Sequence, residues 1–131
     1  MNLMTLDAIG TKIIAAAVLA VLTLLTGLWV SRLGKPYNTW VFNLHKLIAV
    51  AMIVVIGISV FNLYKTLEPQ SILVLAVIAA SGLLLISLVV TGGLLSLDIS
   101  PQISLRIHQV FPFLALAASA VTLYMLVNNQ V

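Results

Sequence analysis

The 131 residues are enough for one compact domain, but their composition excludes a water-soluble one. Residues of the set Ala, Val, Ile, Leu, Met, Phe, Trp, Tyr and Cys make up 63% of the chain and charged residues only 7%, against about 25% charged in soluble domains. A net charge of +3, spread without a basic run or interleaved aromatic residues, leaves no footprint for nucleic-acid binding. The absence of cysteine excludes disulfides, thiolate metal centres, iron–sulfur clusters and covalent c-type haem attachment.

The N-terminal stretch carries Asp7 and Lys12 and lacks the basic start of a secretory signal, so the first apolar run is expected to be a retained membrane helix. That run covers about residues 13–30. The second covers about 41–64, the third about 71–97 and the fourth about 107–127. Each is near or above the roughly 20 residues needed to cross the hydrocarbon core. Isolated strands would leave backbone groups unsatisfied in lipid, so all four are expected to be helices. The breaks between them carry turn residues: Gly34 and Pro36 within 31–38, Pro69 within 68–70, and Pro101 within 98–104. Short connections predict antiparallel neighbours. The first and third connections share one membrane face with Arg32, Lys35, Lys46 and Arg106. Only Lys12 and Lys65 lie near the opposite face, which also holds both termini. The positive-inside tendency makes the first face cytoplasmic. The expected location is therefore a prokaryotic-type cytoplasmic membrane, with both termini on its non-cytoplasmic side.

The two halves of the chain resemble each other. TGLWVSRLGKP, from Thr26 to Pro36, aligns without a gap on TGGLLSLDISP, from Thr91 to Pro101, matching Thr26 with Thr91, Gly27 with Gly92, Ser31 with Ser96 and Pro36 with Pro101. Shortly after each proline comes one of the chain's two histidines, His45 or His108. This order points to a duplication, with repeat 1 at about 9–66 and repeat 2 at about 71–129 within a single membrane domain. Two spans per copy make it a parallel repeat. The expected fold is an all-α four-transmembrane-helix bundle of two such hairpins with pseudo-twofold symmetry. Helical spacing gives each histidine a companion stripe: Ala49, Met52, Ile56 and Ser59 after His45, and Pro112, Ala115, Ser119 and Thr122 after His108. Ala16, Ala20, Thr23 and Gly27 form another on the first helix. Small-residue stripes mark helix contacts or cavities, because lipid-facing surfaces need only bulk.

Intramembrane histidines are costly and often functional, and four readings compete for this pair. A single b-type haem ligated by His45 and His108 uses the affinity of neutral imidazole for iron. Thr26, Gly27, Thr91 and Gly92 would leave room beside it, and Arg32, Lys35, Lys46 and Arg106 would meet the propionates. A structural reading has each histidine hydrogen-bonded inside the protein, with Thr26, Thr91 or backbone carbonyls as partners. A quinone or proton site lacks an intramembrane carboxylate, since Asp7, Glu68 and Asp98 all lie at or beyond span ends. A bare zinc site lacks ligands, because two imidazoles make an incomplete shell. Trp29, Tyr37, Trp40 and Tyr64 lie near span ends, where interfacial anchoring is the default.

With His45 in FNLHKLIAV on the second helix and His108 in LRIHQVFPF on the fourth, the chain resembles the four-helix membrane cytochromes b, including cytochrome b561-like and respiratory-subunit bundles. Many of these hold two haems on four histidines, and this chain has two histidines. The resemblance therefore implies at most one bis-histidine haem b near one face, with His45 and His108 as iron ligands. It also implies single-electron exchange with a quinone or redox protein, in an electron carrier or redox subunit rather than a stand-alone enzyme. The rival expectation is a non-redox scaffold, assembly subunit or small transporter with structural histidines. Duplicated hairpins also suit a homodimer embedded in lipid.

Overall fold

The computed structural model describes residues 3–65 and 71–128, and these form four α-helices: α1 (Leu3–Leu33), α2 (Thr39–Lys65), α3 (Ile72–Ser96) and α4 (Pro101–Asn128). Among the described residues there is no strand. Each helix contains a stretch long and apolar enough to cross a membrane; the span within α1 is Gly10–Leu33, 24 residues. At 1.5 Å per residue this is about 36 Å, more than the roughly 30 Å hydrocarbon thickness. The protein is an all-α integral membrane protein with four candidate spans. Its backbone divides into two compact units, Met1–Asn62 and Leu63–Val131, built around the α1–α2 and α3–α4 hairpins respectively.

The helix ends differ from the hydropathy boundaries. α1 runs through Leu33 and stops at Gly34, whose φ of 67° needs a residue without a β-carbon. Asn38 then caps α2: its side-chain oxygen accepts from the Trp40 and Val41 amides at 3.1 and 3.3 Å. α3 begins behind Ser71, whose hydroxyl accepts from the Val74 amide. It ends in a Schellman turn, with Ile99 N–H donating to the Leu94 carbonyl at 3.0 Å, Asp98 N–H donating to that of Leu95 at 3.4 Å, and Asp98 at φ 57°. The connection expected over 98–104 is thus confined to residues 97–100. α4 starts at Pro101 rather than near 107, because proline at the first helical position has no amide hydrogen to leave unsatisfied. The connection expected at 68–70 lies outside the described residues.

Large apolar side chains such as Ile14, Leu47, Ile72, Leu83 and Phe113 are exposed, as a lipid-facing surface requires. The buried positions form one narrow stripe per helix: Ala16, Ala20, Thr26 and Val30 on α1; Met52, Ile56, Ser59 and Leu63 on α2; Val74, Ser81, Leu85, Thr91 and Leu95 on α3; Ser104, Ala115, Ser119, Thr122 and Leu126 on α4. The hydroxyls on these stripes mostly donate one turn back to a carbonyl, as Ser59 does to Val55 at 2.7 Å and Ser81 to Val77 at 2.9 Å. One pair also links two helices: Ser81 and Thr122 hydroxyls meet at 2.7 Å between α3 and α4. Either hydroxyl can be the donor of that bond, and the Thr122 hydroxyl also lies 2.9 Å from the Ala118 carbonyl of its own helix and 3.4 Å from the Val77 carbonyl on α3. The Ser119 hydroxyl is buried with no hydrogen-bond partner.

These two hydroxyls predict opposite outcomes. Thr122→Val removes an interhelical bond from an apolar environment and is expected to lower stability by about 0.5–2 kcal/mol. Ser119→Ala removes only an unsatisfied group and is expected to be neutral or stabilising by up to about 1 kcal/mol. Reversible unfolding in bicelles, on the two variants side by side, checks the difference in sign.

Candidate functional site

The first hairpin builds its site from a threonine, a glycine and a histidine. His45 lies about two turns inside α2, half-buried, and its Nδ1 is 3.1 Å from the Thr26 hydroxyl on α1. That hydroxyl lies 2.7 Å from the Leu22 carbonyl and 3.2 Å from the Thr23 carbonyl. Its single proton is therefore committed to the α1 backbone, and its oxygen is left to accept from Nδ1–H. Gly27 completes the seat: a β-carbon there would lie 3.1 Å from His45 Cε1, inside comfortable contact, so the ring rests directly on the α1 backbone.

The second hairpin repeats the arrangement. His108, half-buried on α4, has Nδ1 2.9 Å from the Thr91 hydroxyl on α3. Thr91 donates to the Ser87 carbonyl at 2.8 Å, with the Leu88 carbonyl at 3.2 Å. A β-carbon on Gly92 would lie 3.2 Å from His108 Cε1. In both hairpins, with each threonine donating to its own-helix carbonyl, the ring proton sits on Nδ1 and the lone pair on Nε2, a tautomer in which Nε2 can ligate a metal.

The correspondence extends along the helices. One constant shift in residue number carries the buried positions Ala16, Ala20, Thr26 and Val30 of α1 onto Ser81, Leu85, Thr91 and Leu95 of α3. A second carries Met52, Ile56, Ser59 and Leu63 of α2 onto Ala115, Ser119, Thr122 and Leu126 of α4, and the same shift carries His45 onto His108. Each shift carries buried positions onto buried positions. The repeated element is thus a packing pattern as well as a short motif.

The basic residues singled out by sequence stand apart from these seats. Arg32 lies in the last turn of α1 and Arg106 is an exposed residue near the start of α4. Lys46 follows His45 directly, yet its ammonium lies over the Phe42 ring, 4.3 Å from the centroid. Phe42 stacks on Tyr37 at 5.3 Å, and the Lys35 ammonium lies 5.7 Å from the Tyr37 centroid. Sequence reasoning missed this cluster, although Phe42 and Lys46 stand four residues apart on one helix, where side chains meet. Among the described residues no group of three or more His, Cys, Asp or Glu side chains gathers as a metal site.

Comparison with protein-family models, curated proteins and solved structures returns no match to this chain.

The glycine seats predict a local contrast. Gly92→Ala forces its β-carbon against the His108 ring and is expected to cost about 1–3 kcal/mol. Gly93→Ala, with no heavy atom within 4 Å of its β-carbon, is expected to be neutral or stabilising. Gly27→Ala should follow Gly92→Ala, and Gly57→Ala should follow Gly93→Ala. Chemical or thermal unfolding of the four variants in one detergent checks the pattern.

Proposed function

We propose that the protein is a membrane b-type cytochrome in which His45 and His108 would hold the iron of one haem. The observation that carries this reading is the duplicated Nδ1–H···Oγ bond, which leaves Nε2 of each imidazole with a lone pair suited to iron. A hydrogen bond at the second ring nitrogen also fixes the ring's rotation, so each ligand is pre-oriented. Gly27 and Gly92 support the fit, because each lets its ring lie close against a helix backbone and keeps bulk away. When bound, the haem would supply single-electron chemistry.

The chain's own residues bind, orient and exclude water. Thr26 and Thr91 hold the tautomer and the flanking apolar spans keep water out. Arg32 and Arg106, at the loop ends of α1 and α4, are the guanidinium partners proposed for the propionates. Lys46 is left out of this set because Phe42 engages its ammonium. The exchange partner is proposed to be a quinone or redox protein at that same face.

A second reading rests on the same Thr–His bonds: they already tie α1 to α2 and α3 to α4, as purely structural histidines would. The two readings part on colour. The first predicts that detergent-purified protein, expressed with ample haem, gives a sharp low-spin b-type α-band in a reduced-minus-oxidised spectrum, at one haem per chain. His45→Ala or His108→Ala abolishes the band, and Thr26→Val or Thr91→Val weakens haem affinity about 10- to 100-fold. A protein that stays colourless through haem titration contradicts the cytochrome reading and leaves the structural one.

A further inference from the structure

We propose that Tyr37, Phe42 and Lys46 are positioning residues for His45: their stack fixes the rotation of the first turns of α2 and so keeps the imidazole on Thr26. As a ligand-positioning role this rests on the haem reading; the geometry itself does not.

The need arises because so little else holds that end of the helix. No residue of α2 from Thr39 to Ala51 is fully buried, and the buried stripe starts at Met52, roughly two turns beyond His45. The Asn38 side chain caps the first amides and so fixes where the helix begins. Rotation about the axis is a separate freedom, and the seat is sensitive to it. A turn of about 10° carries an atom roughly 6 Å from the axis sideways by about 1 Å, enough to stretch a hydrogen bond beyond its range. The Thr26–His45 bond is 3.1 Å long.

The aromatic cluster supplies the missing constraint. Phe42 stands three residues before His45 and four before Lys46, so all three share one side of α2. Tyr37 belongs to the connection and not to the helix. Its ring stacks on Phe42 at 5.3 Å with planes 14° apart, and the Lys46 ammonium lies 4.3 Å from the Phe42 centroid. The stack ties the His45 side of α2 to the connection, and the ammonium holds Phe42 from the helix side.

The second hairpin does the same work with different chemistry. No aromatic residue occurs there from Thr91 to Val110. Ser104 is instead buried in the first turn of α4, and its hydroxyl donates to the Ile99 carbonyl of the connection at 3.2 Å. The position matching Ser104 in α2 is Val41, which is not fully buried. Each histidine thus follows a tie between the first turn of its helix and the preceding connection.

¹⁵N NMR of the full chain, histidine-labelled and in bilayers without haem, tests the proposal. Phe42→Leu and Tyr37→Leu should each lower the ratio of Nδ1–H to Nε2–H form at His45 about five-fold, the worth of one aromatic pair. His108 should not move, and its signal reports that the fold is intact. Lys46→Gln should shift His45 in the same direction by less. Tyr37→Phe and Lys46→Arg, which keep the stack and the cation, should retain the wild-type signal. Phe113→Leu, at an exposed aromatic of α4, should move neither ring. An unchanged His45 signal in both Phe42→Leu and Tyr37→Leu overturns the proposal, as does an equal shift of both rings. A protein that binds no haem refutes the haem reading alone, because these spectra are taken without it.

Discussion

Everything distinctive about this protein turns on a hydrogen bond between a threonine hydroxyl and an imidazole. A polar ring within a membrane span has no bulk water to satisfy it, so its N–H must find a protein acceptor. Thr26 and Thr91 supply one by passing their own proton to a carbonyl one turn back and turning the oxygen toward the neighbouring helix. That direction of bonding decides which ring nitrogen keeps a lone pair. The adjacent glycine then gives the ring room, since a β-carbon there would lie 3.1 or 3.2 Å from the ring's Cε1, closer than ordinary contact.

The two hairpins use the same device and differ around it. Where α1 has Ala16, α3 has Ser81, which bonds Thr122 across to α4; on α2 the residue at the Thr122 position is Ser59, which donates only to its own helix. The second hairpin thus has extra polar contacts from Thr122 to Ser81 and to the Val77 carbonyl, and also carries an unsatisfied buried hydroxyl at Ser119, where the first has Ile56. The first hairpin instead carries the cation–aromatic cluster of Lys35, Tyr37, Phe42 and Lys46. The shared part of the repeat is the Thr–Gly–His seat, and the parts that differ are the Ser81–Thr122 bond and the cation–aromatic cluster.

Much of the fold was legible because lipid leaves few choices. Four long apolar runs have to be helices, and the buried stripes followed from helical spacing at Ala16, Ala20, Met52, Ile56, Ser59, Ala115, Ser119 and Thr122. The ends were less legible, because hydropathy reports where lipid begins and not where hydrogen bonding stops. α4 continues back through Arg106 and Ser104 to Pro101, and α3 closes with Asp98 in the left-handed position. Aligning the two halves singled out Thr26, Gly27 and His45 with their counterparts, and threonine was already a candidate partner. The direction of the hydrogen bond was beyond reach, since it depends on a rotamer and on a carbonyl one turn away. The Phe42–Lys46 contact was within reach from its spacing, but a lysine beside a histidine drew attention to a propionate instead.

The most direct test of the central claim is ¹⁵N NMR of histidine-labelled protein in lipid bilayers, without added haem. The account predicts that both imidazoles show the Nδ1–H tautomer, and that Thr26→Val and Thr91→Val each shift only the ring of their own hairpin toward the Nε2–H form. Finding the proton on Nε2 in both wild-type rings would contradict it, because the threonines would then be donors and neither histidine would offer the nitrogen on which the proposed ligation depends.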